Sequence, residues 1–141
     1  MSFCKTRTDE PITGIVKYRN IEADFADGRP NGITKEYYSN GNLKQEISFK
    51  NGIVDGIRKE YYETGPLHIE SEWKNDVQNG ITKVYYESGA LQVETNVENG
   101  MKNGIRKEYY ESGALKSKGT WQFDRLLEIE KYPENQIQNN N

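Results

Sequence analysis

Apolar and polar residues alternate through short stretches of this chain, and each stretch ends at a turn signal. Residues 32–49, "GITKEYYSNGNLKQEISF", show the unit. Ile33 to Tyr38 is β-prone and alternating, and Leu43, Gln45, Ile47 and Phe49 occupy every second position. Alternation with period two predicts a strand on either side of "SNG". Other copies of the unit read "ETG" and "ESG" here. A three-residue loop with glycine last suits a type I turn followed by a left-handed residue. That turn sets a register in which Tyr38 opposes Asn42, Tyr37 opposes Leu43, Lys35 opposes Gln45 and Ile33 opposes Ile47. The expected inner face is then Ile33, Tyr37, Leu43, Ile47 and Phe49. The expected outer face is Thr34, Glu36, Tyr38, Lys44 and Glu46, with Glu36 against Lys44 and, one copy on, Arg58 against Glu70.

The unit recurs every 24 residues. Gly32, Gly56, Gly80 and Gly104 keep the beat, as do Gly41, Gly65, Gly89 and Gly113. Paired tyrosines fall at 37/38, 61/62, 85/86 and 109/110, and Phe49, Trp73, Val97 and Trp121 close the copies. No insertion disturbs four copies, which is the signature of identical neighbours stacked in a row. A second glycine signal, "NG…DG" at 51–56, marks the return into the next hairpin. The predicted fold is therefore all-β, an extended single-layer twisted antiparallel sheet of tandem β-hairpin repeats. About ten strands at ~4.8 Å each would span roughly 45–50 Å. Residues 1–30 form an N-terminal segment with a degenerate capping repeat, 31–126 the four tandem repeats, and 127–141 a C-terminal cap and a frayed polar tail. "QFDRLLEIEKY" is expected to fold over the last hairpin.

Composition supports an open sheet over a deep core. Hydrophobic residues make up 33% of the chain, and ten of the 141 residues are tyrosine. Counted with glycine and without tyrosine, the apolar share stays well below the usual ~45–50%.

"NGIRKEYYESGALKSKGTW" and "NGITKEYYSNGNLKQEISFKNG" resemble the variant MORN repeat, in the bacterial form carried by antitoxin and immunity proteins. The resemblance covers residues 31–123 well and 14–30 poorly. It implies a single-layer sheet of hairpins that acts by binding, and it brings no catalytic residues. Choline-binding repeats share the glycine and aromatic hairpins but are richer in tryptophan, and here only Trp73 and Trp121 occur.

Charge narrows the partners. Net charge is −3 with both signs mixed, which argues against nucleic acid and disfavours anionic lipid. Residues 55–78 carry −3, 79–102 carry −1 and 103–126 carry +2. An acidic middle suits a basic partner. Tyr38, Tyr62, Tyr86 and Tyr110, one per copy on the outer face, are the candidate partner-binding row, with Glu60, Glu70 and Glu72. Tyrosine gives large contact area at low entropic cost.

Catalytic and metal chemistry find no support in the residues. His68 stands where other copies have Lys44, Gln92 and Lys116, which reads as a polar surface site. Cys4 is the single cysteine, so no intrachain disulfide and no cysteine metal set is expected. No cofactor is expected. No apolar run spans a membrane and the start lacks a signal peptide, which makes a cytoplasmic location the default. The reading is a non-catalytic protein-interaction module of antitoxin or immunity type that blocks a protein partner. The alternatives are a membrane-associated or scaffolding array and, further off, an enzyme with a site at the terminal caps. The terminal sheet edges offer a route to a homodimer.

Overall fold

Three turn devices, each encoded in two or three residues, reverse the chain between successive strands. The computed structural model describes residues 10–134. Cys4 and most of the polar tail expected to fray lie outside them. Among the described residues there are eleven strands and no helix: β1 Gly14–Tyr18, β2 Ile21–Ala26, β3 Arg29–Tyr37, β4 Leu43–Lys50, β5 Ile53–Tyr61, β6 Leu67–Lys74, β7 Val77–Tyr85, β8 Leu91–Glu98, β9 Met101–Tyr109, β10 Leu115–Gln122 and β11 Arg125–Lys131. They form one antiparallel sheet in chain order, with β1 and β11 at its two open edges.

The first device joins β3 to β4, β5 to β6, β7 to β8 and β9 to β10. In the first of these, Gly41 N donates to Tyr38 O at 3.0 Å and Tyr38 N donates to Asn42 O at 2.8 Å. Gly41 has φ +90°. This is the expected three-residue loop with a left-handed glycine. The second device is a two-residue turn with both residues left-handed, which matches the twist of its strands. Asn51 and Gly52 (φ 51° and 81°) show the usual chemistry, while Asn75–Asp76 and Phe123–Asp124 dispense with glycine. There the aspartate contributes an extra bond. Asp76 Oδ1 accepts from Val54 N at 2.7 Å and Asp124 Oδ1 accepts from Lys102 N at 2.8 Å. The third device, Arg19–Asn20, closes the degenerate first hairpin in two residues.

The expected register holds for Tyr37 opposite Leu43 and fails beyond it. Glu36 pairs with Gln45, Lys35 with Glu46, Thr34 with Ile47 and Ile33 with Ser48. Lys44 is an extra residue, a β-bulge, and it moves everything after it onto the opposite face. Ile47 and Phe49 therefore do not share a face with Ile33 and Tyr37. The expected inner face was a composite of two. The bulge sets the inserted side chain over the second tyrosine: Lys44 Nζ lies 5.7 Å from the Tyr38 ring centre, and His68 stacks on Tyr62 at 4.2 Å. The Glu36–Lys44 pair does form, at 3.8 Å. Arg58 sits opposite Ser71, not Glu70, and pairs with Glu60 at 3.5 Å.

A second bulge lies on the return side. Between β6 and β7, Ser71 pairs with Thr82 and Trp73 with Gln78, leaving Glu72 across from Asn79–Ile81. Its side chain folds over Gly80, which has φ +127°. A Cβ at Gly80 would collide with the Glu72 carboxylate as it stands. The carboxylate accepts from Ile81 N at 2.6 Å. The recurring glycine after Asn or Asp is thus a place for a neighbour's side chain to cross the backbone.

The eleventh strand corrects the expectation that "QFDRLLEIEKY" folds over the last hairpin. It pairs edge to edge with β10. Tyr132 ends it, and its backbone plays the part of the first tyrosine of a further copy: Tyr132 O accepts the Tyr110 hydroxyl at 2.9 Å.

Candidate functional site

The bulges leave two faces with different chemistry. Glycines aside, the buried residues among those described, Ala23, Ser71, Thr95, Val97 and Ser117, all lie on the back face. In two copies the closing tryptophan lies across the small residue two positions earlier. Trp73 Nε1 donates to Ser71 Oγ at 2.8 Å, and Trp121 Nε1 approaches within 3.1 Å of where a Gly119 Cβ would sit. Lys102 Nζ stands 4.1 Å above the Trp121 ring. Further along this face Arg58 donates to Gln45 at 3.1 Å, and Gln45 donates to Glu36 at 2.6 Å.

The candidate row Tyr38, Tyr62, Tyr86 and Tyr110 runs along the same side, and each ring is half-buried. Each hydroxyl donates to the backbone of the next copy. Tyr38 reaches Tyr61 O at 2.7 Å, Tyr62 reaches Tyr85 O at 2.6 Å and Tyr86 reaches Tyr109 O at 2.7 Å. At the N-terminal end Asn20 Nδ2 does the same to Tyr37 O at 3.1 Å. These residues form a chain of ties from one copy to the next. Their hydroxyls are committed to the fold, and only part of each ring faces outward. Burial and then nearby Glu87 hold the Tyr62 phenol above its ordinary pKa.

The front face is a ladder of alternating charge. In register across the sheet run Lys17, Glu22, Lys35, Glu46, Lys59, Glu70, Lys83, Glu94, Lys107, Lys118 and Glu130. Lys17–Glu22 and Lys59–Glu70 close to 3.5 and 4.0 Å. Beside the ladder the first tyrosine of a copy lies with its strand neighbours. Tyr61 donates to Glu46 at 2.9 Å, and burial together with Glu46 pushes its pKa up to about 12. On the other side of the ladder runs a row of isoleucines, Ile15, Ile33, Ile57, Ile81 and Ile105. They are 65, 47, 38, 42 and 41% exposed. They stand on alternate strands, and Asp24, Ser48, Glu72, Asn96 and Thr120 lie directly opposite them on the strands that follow.

The residues singled out from sequence fall on both sides. Tyr38, Tyr62, Tyr86, Tyr110 and Glu60 lie on the back face, while Glu70 and Glu72 lie on the front. Glu70 belongs to the charge ladder and Glu72 caps the Gly80 bulge. The structure does not bring the seven together. The isoleucine row was missed as a surface feature because the register without its bulges turns Ile33 inward. Its signal was the regular "GI" at 32/33, 56/57, 80/81 and 104/105. Among the described residues no group of three or more His, Cys, Asp or Glu side chains is placed to hold a metal ion. They contain no helix long and apolar enough to cross a membrane.

The family model described as "MORN repeat variant" matches residues 30–51, 54–75, 78–99 and 102–122. Each match spans one hairpin, two strands and the glycine-ended loop between them. Among curated proteins no match to the chain was found.

Proposed function

The chain belongs to the variant MORN-repeat family, and from that premise we propose that it is a non-catalytic protein-interaction module that blocks a protein partner by covering it. One observation carries this reading: a single-layer sheet presents a row of isoleucines, each more than a third exposed, along its front face. No side chain of the described residues is fully buried, so the sheet has surface to offer a partner. Repeat arrays use extended surfaces in this way, and fold alone does not name the partner. The antitoxin or immunity role rests on the resemblance of the repeat copies to those of such proteins.

Affinity capture from the source cells tests the module. A stoichiometric protein partner is expected, and an inhibition assay on that partner then tests the blocking role. Capture of no protein, or sedimentation with vesicles in its place, would contradict the reading.

A further inference from the structure

The front-face ladder contains one fault. From Lys17 to Lys107 every charge alternates, so each interior lysine has a glutamate on both sides. Position 118 then carries lysine where Glu46, Glu70 and Glu94 stand in the earlier copies. Lys107 and Lys118 are direct cross-strand partners. Neither is within ion-pair distance of a described carboxylate. Like charges directly opposite on a sheet are unfavourable, and a single carboxylate set between them would relieve both. The same place is a groove of about 430 Å³ walled by Ile81, Ile105, Asn96, Lys107 and Lys118, with Glu94 beside Lys107. Gly104 lines it too, with the Asn96 side chain crossing over it to donate to Asn103 O at 2.7 Å.

We infer that this groove is where the front face takes its protein partner, and that it takes an extended acidic-apolar segment, a carboxylate between Lys107 and Lys118 with an apolar side chain two residues away against Ile81 and Ile105. The inference rests on the protein-binding reading above and specifies its contact. Spacing follows from the strand: Lys107 and Ile105 are two residues apart on β9, roughly 6–7 Å, the same repeat an extended partner would have. Charge selects a polypeptide over nucleic acid. Glu94 and Glu130 flank the lysine pair on both sides, which admits one carboxylate and repels a run of phosphates.

Panning a random peptide library displayed on phage against the whole chain tests this. Enrichment of peptides with Asp or Glu two residues from Ile, Leu, Val or Phe is expected. A chosen peptide should lose about tenfold or more in affinity in Lys118→Glu and should bind Lys44→Glu, altered on the back face, as tightly as the parent. Lys118→Glu installs the residue that three other copies carry, and it exchanges a favourable neighbour at Glu130 for one at Lys107, so folding is expected to be unchanged by circular dichroism. No enrichment, enrichment without an acidic residue, or binding that survives Lys118→Glu would overturn the inference. So would Lys118-dependent binding of a labelled single-stranded oligonucleotide. If a captured cellular protein binds parent and Lys118→Glu equally, this inference falls while the protein-binding reading stands.

Discussion

Tyr86 shows what a single repeated residue does here. Its hydroxyl spans 23 positions of sequence to the carbonyl of Tyr109, so one phenol fastens one copy to the next. Replacing it by phenylalanine keeps the ring and leaves that carbonyl without its partner. Tyr86→Phe is expected to cost about 1 kcal/mol in urea unfolding, and an unchanged midpoint would deny the tie. Tyr61 carries the other testable hydroxyl. Its folded pKa of about 12 lies above the ordinary 10.0, so protonated Tyr61 stabilises the fold below pH 10. That contribution is lost as pH rises from 10 towards 12. Ultraviolet absorbance should show tyrosine ionisation extending above the ordinary range, with Tyr61 joined by Tyr62 and Tyr132, whose phenols are also raised. Glu46→Gln should bring the Tyr61 titration down, because the bond to Glu46 and its charge both resist ionisation.

At the scale of the element, the turns explain why the sheet was legible and the faces were not. Each glycine-ended loop is written in the sequence, and the structure reproduces the 38–42 closure that its pattern demands. The inserted Lys44 is invisible to a period-two count, because a bulge leaves no apolar mark. One extra residue sends Ile47 and Phe49 to the far side. The final strand was obscured for a related reason. Tyr110 and Tyr132 are 22 residues apart, and the Asn-Gly bulge is missing between them. Phe123 occupies a left-handed position, φ 44°, that Asn51, Asn75 and Asn99 fill elsewhere. Asparagine visits that region at less cost than a bulky side chain. Phe123→Asn is expected to raise stability by about 1 kcal/mol, read as a higher thermal midpoint. A lower midpoint would mean that the ring packs on something essential.

The whole molecule behaves as a row, held by neighbour-to-neighbour contacts with no common centre. Stability in such arrays is close to a sum over copies and their interfaces. Deleting residues 55–78 removes two strands in phase and returns Glu46 to a lysine, now Lys83, so the ladder still alternates. The shortened chain is expected to fold. Its urea m-value should fall by about a fifth, in step with the surface lost. Aggregation or a molten spectrum would show that the copies are not interchangeable.

The front face belongs to this scale as well, since only the assembled row repeats an exposed isoleucine on every second strand from Ile15 to Ile105. The most direct measurement of the central claim is capture of the cellular partner by the parent chain and by an Ile57→Thr/Ile81→Thr double variant, with unfolding curves run on both. Threonine keeps the β-branch and removes apolar surface. The claim predicts that the variant folds and loses the partner. A folded variant that retains the partner at full occupancy would contradict it.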